Sequence, residues 1–335
     1  MAAVAPVAKA GGGHARSSVV LLLITPVRNE AAHIVRTART VQAQTRVPDL
    51  WLVADDGSDD ATPQLLERLA AEIPFLRVVT TPRGHTKAGP DRLALAAEAR
   101  AFNWALSQVD LDAYTHIGKL DGDIELPPDY FERLLERMDA DPALGIAGGM
   151  LLEPDRGVWR RERVPEYHVR GALKLYTRAC FEAIGGIDER LGWDTIDETY
   201  ARLNGFATRS FADLVARHHR PEATADGALR GRARHGQCAY ILHYGLPWVV
   251  LRSFKEGTNR PVGLSGIAFL FGYLRSAARR EARVDDEAFR RHVRRELRAR
   301  FRPAHLIGWL SGRSSRPSEA FVGRMNATGT NVTGN

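Results

Sequence analysis

Cysteine is scarce in this 335-residue chain: Cys180 and Cys238 stand far apart, without CxxC or other metal-ligand spacing. That excludes a disulfide framework, and the chain reads as cytoplasmic with reduced, structural thiols. Long apolar runs are lacking as well. Val19–Ile24 falls far short of the roughly 20 residues that span a bilayer, and is expected to be a buried strand. The first 18 residues are Ala- and Gly-rich, with one Lys and one Arg. They lack the basic start, apolar run and cleavage site of a secretory signal, so a disordered lead is expected. There is no internal repeat and no low-complexity segment beyond the termini.

What is present is an ample apolar fraction, 44%, and a net charge of +7. The length implies a large domain with an appendage. The charge is uneven: Val250–Pro303 holds 14 Lys and Arg against 6 Asp and Glu, which accounts for the whole imbalance. An anionic partner is implied.

The first half alternates strand and helix. Val19–Thr25, Leu50–Ala54, Phe75–Val79 and Tyr114–Leu120 read as strands. Glu30 to about Gln44 (capped by Asn29), a segment opening at Asp60, Asp91–Ser107 and Asp129–Met138 read as helices. This pattern predicts a mostly parallel sheet with helices on both faces, and ligands at the carboxyl ends of its strands. Beyond about residue 145 a strand at Gly145–Met150, a charged loop over 151–170, and helices at Thr177–Ile184 and Thr195–Leu203 are expected.

Three acidic clusters carry the chemistry. Asp121-Gly122-Asp123 follows a strand, where both carboxylates approach one hard cation and Gly allows a tight turn; Lys119 neutralises or covers the pair. Asp55-Asp56-Gly57-Ser58-Asp59-Asp60 ends another strand, with Asp59 and Asp60 suited to capping and Asp55 and Asp56 to a ribose or base. In Trp193–Glu198, Thr195 and Glu198 fit a capping box, while Asp197 and Asp194 are candidate general bases. His218 and His219 point opposite ways on an extended chain, so at most one joins a metal. Arg230–His235 is basic and read as a loop, either solvated or binding a diphosphate or anionic head group.

Taken in order, Thr25–Glu30, Ala54–Thr62 and Lys119–Asp123, then Gly185–Glu189 with Trp193–Gly205, resemble the motifs of family-2 glycosyltransferases over roughly Val19–Tyr244. The resemblance implies an α/β, Rossmann-like GT-A fold and inverting transfer from a UDP- or GDP-linked sugar to a carbohydrate or lipid-linked acceptor, in polysaccharide or glycolipid assembly. It places Pro26, Glu30, Asp55 and Asp56 at the nucleotide, and Lys119, Asp121 and Asp123 at the ribose, diphosphate and Mn2+ or Mg2+. The family's acceptor-side acidic pair is usually Glu-Asp. The nearest fit here is Asp197-Glu198, with Asp194 a turn earlier, and Asp197 is the favoured base.

Four regions are expected: a lead over 1–18, the transferase domain over 19–245, a basic helical extension over 246–310, and a tail over 311–335. Pro261–Tyr273 is uncharged and flanked by Arg260 and Arg275. It is either a core helix or an interfacial segment holding the chain peripherally at the inner face of the plasma membrane. No nucleic-acid partner is expected. The competing readings are a sugar-nucleotide-forming nucleotidyltransferase, which needs a Gly-rich, Arg-bearing loop after the first strand, and a non-catalytic membrane- or nucleic-acid-binding protein.

Overall fold

A computed structural model describes residues 19–82, 95–155, 157–162, 164–220, 227–259 and 261–301. The lead at 1–18, most of the Pro82–Pro90 loop and the tail at 311–335 lie outside them.

Four parallel strands open the fold: β1 (Leu21–Val27), β2 (Leu50–Asp55), β3 (Leu76–Thr80) and β4 (His116–Leu120), in the order β3-β2-β1-β4. β1 and β2 are almost continuously apolar because both of their faces are covered. Alternation then decides what each residue meets. Leu21, Leu23, Trp51 and Val53 pack against α1 (Ile34–Gln42) and α2 (Thr62–Glu72), while Leu22, Ile24, Leu50 and Leu52 pack against α3 (Ala97–Leu106). α1 starts four residues later than Glu30. Asn29 adopts a left-handed φ of 57° and spends its side chain on Asp59, so it caps nothing.

The second half supplies β5 (Ile124–Glu125), α4 (Tyr130–Ala140), β6 (Leu144–Asp155), β7 (Val158–Arg161), β8 (Leu173–Thr177), α5 (Arg178–Ala183), α6 (Trp193–Leu203) and β9 (Ala207–His218). The sheet continues β4-β8-β6-β9-β5, with β7 paired to the outer end of β6. It is therefore mixed rather than mostly parallel: β8 runs antiparallel to both β4 and β6. The segment 151–170 is not simply a loop, since it finishes β6 and forms the β6–β7 hairpin. Helix α6 opens at Gly192, not Thr195, and the expected capping box does not form.

Four helices complete the described chain: α7 (Ala228–Ile241), α8 (Leu246–Glu256), α9 (Leu264–Ala278) and α10 (Glu287–Arg300). Arg230–His235 lies inside α7 and is not a loop. α7 and α9 touch backbone to backbone: a Cβ on Gly236 would lie 1.9 Å from the Phe269 carbonyl, and one on Gly272 1.9 Å from that of Ala233. α10 docks on α6 through Phe289, Val293 and Leu297 around Ile196, and through an Arg202–Glu296 ion pair of 2.9 Å. Among the described residues no helix is long and apolar enough to cross a membrane.

Candidate active site

The carboxyl ends of β1, β2 and β4 bring Pro26, Asp55 and Asp121 to one rim of the sheet. Asp123 follows in the turn to β5. β9 pairs with β5 so that Ile124 faces His218, and the His219 N–H donates to the Asp123 carbonyl at 3.0 Å. That pairing sets His218 beside the carboxylates. One ligand atom from each of Asp121, Asp123 and His218 lies within 4.8 Å of the others. Two carboxylates and an imidazole form a donor set that can hold a divalent cation.

Gly122 between the acids does not use a left-handed conformation. It is needed because a Cβ there would press on Val27 at 3.0 Å and Glu30 at 3.2 Å. His219 is turned away, with Nε2 on Glu125 at 2.8 Å and its ring between His33 and Trp159.

Positive groups hold this acidic rim together. His218 contacts Asp123 at 3.4 Å and Glu153 at 3.3 Å. Burial disfavours its charged form, but those two carboxylates outweigh burial and push its pKa up to about 10, so a cation would bind His218 only by displacing that proton. Arg220 lies 3.5 Å from Asp123 and pairs with Glu30. Burial lifts the Glu30 carboxyl to about 7, with Arg220 opposing. Lys119 is fully buried and pairs with Asp121, 3.6 Å from Glu98, while donating to the Gly171 carbonyl at 2.9 Å. Its carboxylate neighbours overcome burial and keep its pKa above the usual lysine range.

At the carboxyl end of β2, Asp55 accepts from the Ser58 N–H at 3.1 Å and hydroxyl at 2.6 Å, closing its own turn. Asp56 accepts from the Thr81 hydroxyl at 2.8 Å, and both acids are buried. Pro26 and Glu30 are half-buried nearby.

The acidic cluster at the start of α6 divides in two. Asp197 is only 2% exposed. Both its oxygens accept from Lys174 at 2.9 Å, and one also from the Tyr176 hydroxyl at 2.5 Å. Glu198, equally buried, accepts from the Val169 N–H at 2.6 Å and contacts His168 at 3.1 Å. The sequence-based preference for Asp197 as base assumes an open carboxylate, and this one has no open face. Asp194, in the first turn of α6, remains half-exposed and adds its charge to the field at Lys119. Trp193 beside it is buried, with Lys119 and Lys174 nitrogens 5.1 and 5.5 Å from its ring and its N–H on Glu98 at 3.0 Å.

Sequence reasoning missed Glu98, Glu153, Lys174 and Arg220. Of these only Arg220, next to the histidine pair, carried a local signal.

A single-sheet α/β domain with carboxylates at its strand ends, and a half-exposed helix acid whose charge reaches Lys119 beside them, has the layout of a ligand-binding α/β site. Residues 22–183 match the family model described as glycosyl transferase family 2, in agreement with the resemblance that the sequence motifs carry. Over 170 residues it is 26% identical to beta-monoglucosyldiacylglycerol synthase of a Synechocystis species, a match covering 45% of this chain and 33% of that protein. The chain thus spans about a third of the length of that curated relative. The mannosyltransferase PcManGT of Pyrobaculum calidifontis, solved with GDP-Man and Mn2+, is 18% identical over 92% of this chain and 86% of its own, with a TM-score of 0.51. That likeness sets the fold as GT-A. The S. aureus TarS fragment 1–349 is 15% identical over 94% of this chain and 93% of its own, with a TM-score of 0.46. The family match and the relative are both on the side of glycosyl transfer, against the nucleotidyltransferase and non-catalytic readings.

Proposed function

We propose that the chain is a metal-dependent, inverting glycosyltransferase that moves a sugar from a UDP- or GDP-linked donor to a hydroxyl of a carbohydrate or lipid-linked acceptor. The observation that carries this reading is the convergence of Asp121, Asp123 and His218 at the strand-end rim. Asp121, Asp123 and His218 would hold the cation, which when bound neutralises charge developing on the diphosphate. Pro26, Glu30, Asp55 and Asp56 shape the nucleotide pocket, and Arg220 and Lys119 keep the acidic rim from repelling an anionic donor.

Asp194 accepts the proton of the acceptor hydroxyl as that oxygen bonds to the anomeric carbon. The bond from that carbon to the diphosphate breaks on the opposite side, and the nucleoside diphosphate leaves. Asp194 rather than Asp197 is assigned this role because a base must reach its proton, and Asp197 is held on both oxygens by Lys174. The GDP-Man and Mn2+ bound by the Pyrobaculum enzyme, and the glycolipid in the cyanobacterial relative's name, agree with a sugar nucleotide, a metal and a lipid acceptor.

Thermal melting with UDP or GDP, each with and without Mn2+, tests the donor side. One diphosphate should raise Tm only when metal is present, and His218→Gln should reduce that rise. No stabilisation by either diphosphate with metal would overturn the reading.

A further inference from the structure

α9 has two apolar faces, and only one is covered. Leu264 to Leu274 contains no charged residue, and a helix apolar all round is normally buried on every side. Phe269 and Tyr273 meet that expectation by packing against α7. Opposite them, Leu264, Ile267, Phe271 and Leu274 recur at helical spacing and are exposed, Ile267 by 65% and Phe271 by 59%.

The neighbouring helix extends this surface. α8 lies against α9 where Gly266 meets the Ser253 carbonyl, and it exposes Val250 and Phe254, the latter by 73%. The α8–α9 turn adds Val262, which is 71% exposed. Scattered single apolar residues on a surface are ordinary, but two adjacent helices and their connecting turn exposing phenylalanines and branched aliphatics form a contiguous patch.

Charge identifies what covers the patch. Arg275 sits one turn beyond Phe271 on the same stripe, and Arg279 follows one turn later; both are exposed. Arg280 is exposed next to them, and the segment Val250–Pro303 carries an excess of eight positive charges. An apolar stripe ending in arginines matches a bilayer surface, with phenylalanines at the acyl boundary and guanidinium groups at anionic head groups. At 1.5 Å per residue, α9 is roughly 22 Å long, short of the ~30 Å hydrocarbon core, so it lies in the plane rather than across it.

We propose that the exposed faces of α8 and α9 form a membrane-docking surface specific for anionic lipid. This does not rest on the assigned chemistry, because docking needs neither donor nor metal.

Co-sedimentation of the full chain with phosphatidylglycerol-containing vesicles, against phosphatidylcholine vesicles, tests it. The chain should pellet with the anionic vesicles and be released by high salt. Phe254→Ser with Phe271→Ser should lower partitioning roughly tenfold or more, with an unchanged Tm because neither side chain is in the core. Arg275→Glu with Arg279→Glu should remove the preference for phosphatidylglycerol. Failure of the wild-type chain to bind vesicles, or undiminished binding by the phenylalanine variant, would overturn the proposal. So would a solution dimer that the phenylalanine variant dissolves while vesicles remain unbound, since the patch would then be a contact between two copies. Diphosphate-dependent melting is a separate readout, so failure of one proposal leaves the other standing.

Discussion

Asp121–Asp123 and Asp197–Glu198 are both short acidic motifs, and the fold treats them in opposite ways. The first pair ends a strand, keeps a solvent-facing edge at Asp121, and converges with His218 on a space a cation would fill. The second turns inward from α6, where Lys174, Tyr176, His168 and the Val169 N–H take up its oxygens. Residue type is shared; partners and burial differ. A carboxylate whose lone pairs are all engaged by buried donors shapes the floor of a site, whereas one with an open side can meet substrate.

The sharpest way to break this contrast is to measure turnover. Asp194→Asn should lower kcat by about 10²–10⁴-fold, the usual contribution of a general base, with donor binding and Tm little changed. Asp123→Asn should instead weaken metal-dependent donor binding and cut transfer by roughly 10²–10³-fold. Steady-state kinetics with Mn2+ titration separates the two. If Asp194→Asn kept near-normal turnover, the base would have to be sought elsewhere.

The second test moves from rate to stability. Asp197→Ala leaves the fully buried Lys174 ammonium without its main partner, and breaking a buried pair from one side costs about 3–5 kcal/mol. Denaturant unfolding should show that loss, while Asp194→Ala at the half-exposed position should shift the midpoint by much less. Equal losses at the two sites would erase the distinction between floor and rim.

The same contrast explains what the sequence reveals. β1, β2 and β4 are legible because apolar runs end abruptly in acid clusters, and that junction marks a strand end facing a ligand. β8 is not legible, because Lys174 interrupts its apolar pattern and the partner that makes a buried lysine tolerable, Asp197, lies 23 residues away. Without β8 and β9 in view, the expectation of a mostly parallel sheet followed naturally. The two histidines illustrate a finer limit. Alternation on an extended chain shows that they diverge, but only the β5–β9 register, with Ile124 opposite His218, decides which one faces the acids. The thwarted capping box has a similar origin: Glu198 finds the Val169 N–H and His168, which come from a distant segment, in place of its own helix end.

The smallest expected effect probes the buried floor through pH. Burial disfavours a protonated His168, but Glu198 beside it prevails and raises the ring's pKa, with Arg170 opposing and Asp194 adding to the rise. A histidine with a folded pKa above its unfolded value of about 6.5 holds its proton more tightly in the folded state. Its stabilisation is therefore complete below that value and fades as pH climbs through the folded pKa. Glu198 behaves in the reverse sense: its pKa is lowered because His168 and Lys174 outweigh burial, so its contribution is present above the ordinary carboxylate range and is lost on acidification. Urea midpoints should consequently fall as pH is raised from about 6, and His168→Asn should flatten that alkaline limb. Because the His168 side chain retains 19% exposure, the slope should be shallower than the loss from Asp197→Ala. An unchanged limb in His168→Asn would show that the ring titrates without linkage to folding, and that Lys174, Arg202 and the Val169 N–H hold Glu198 without it.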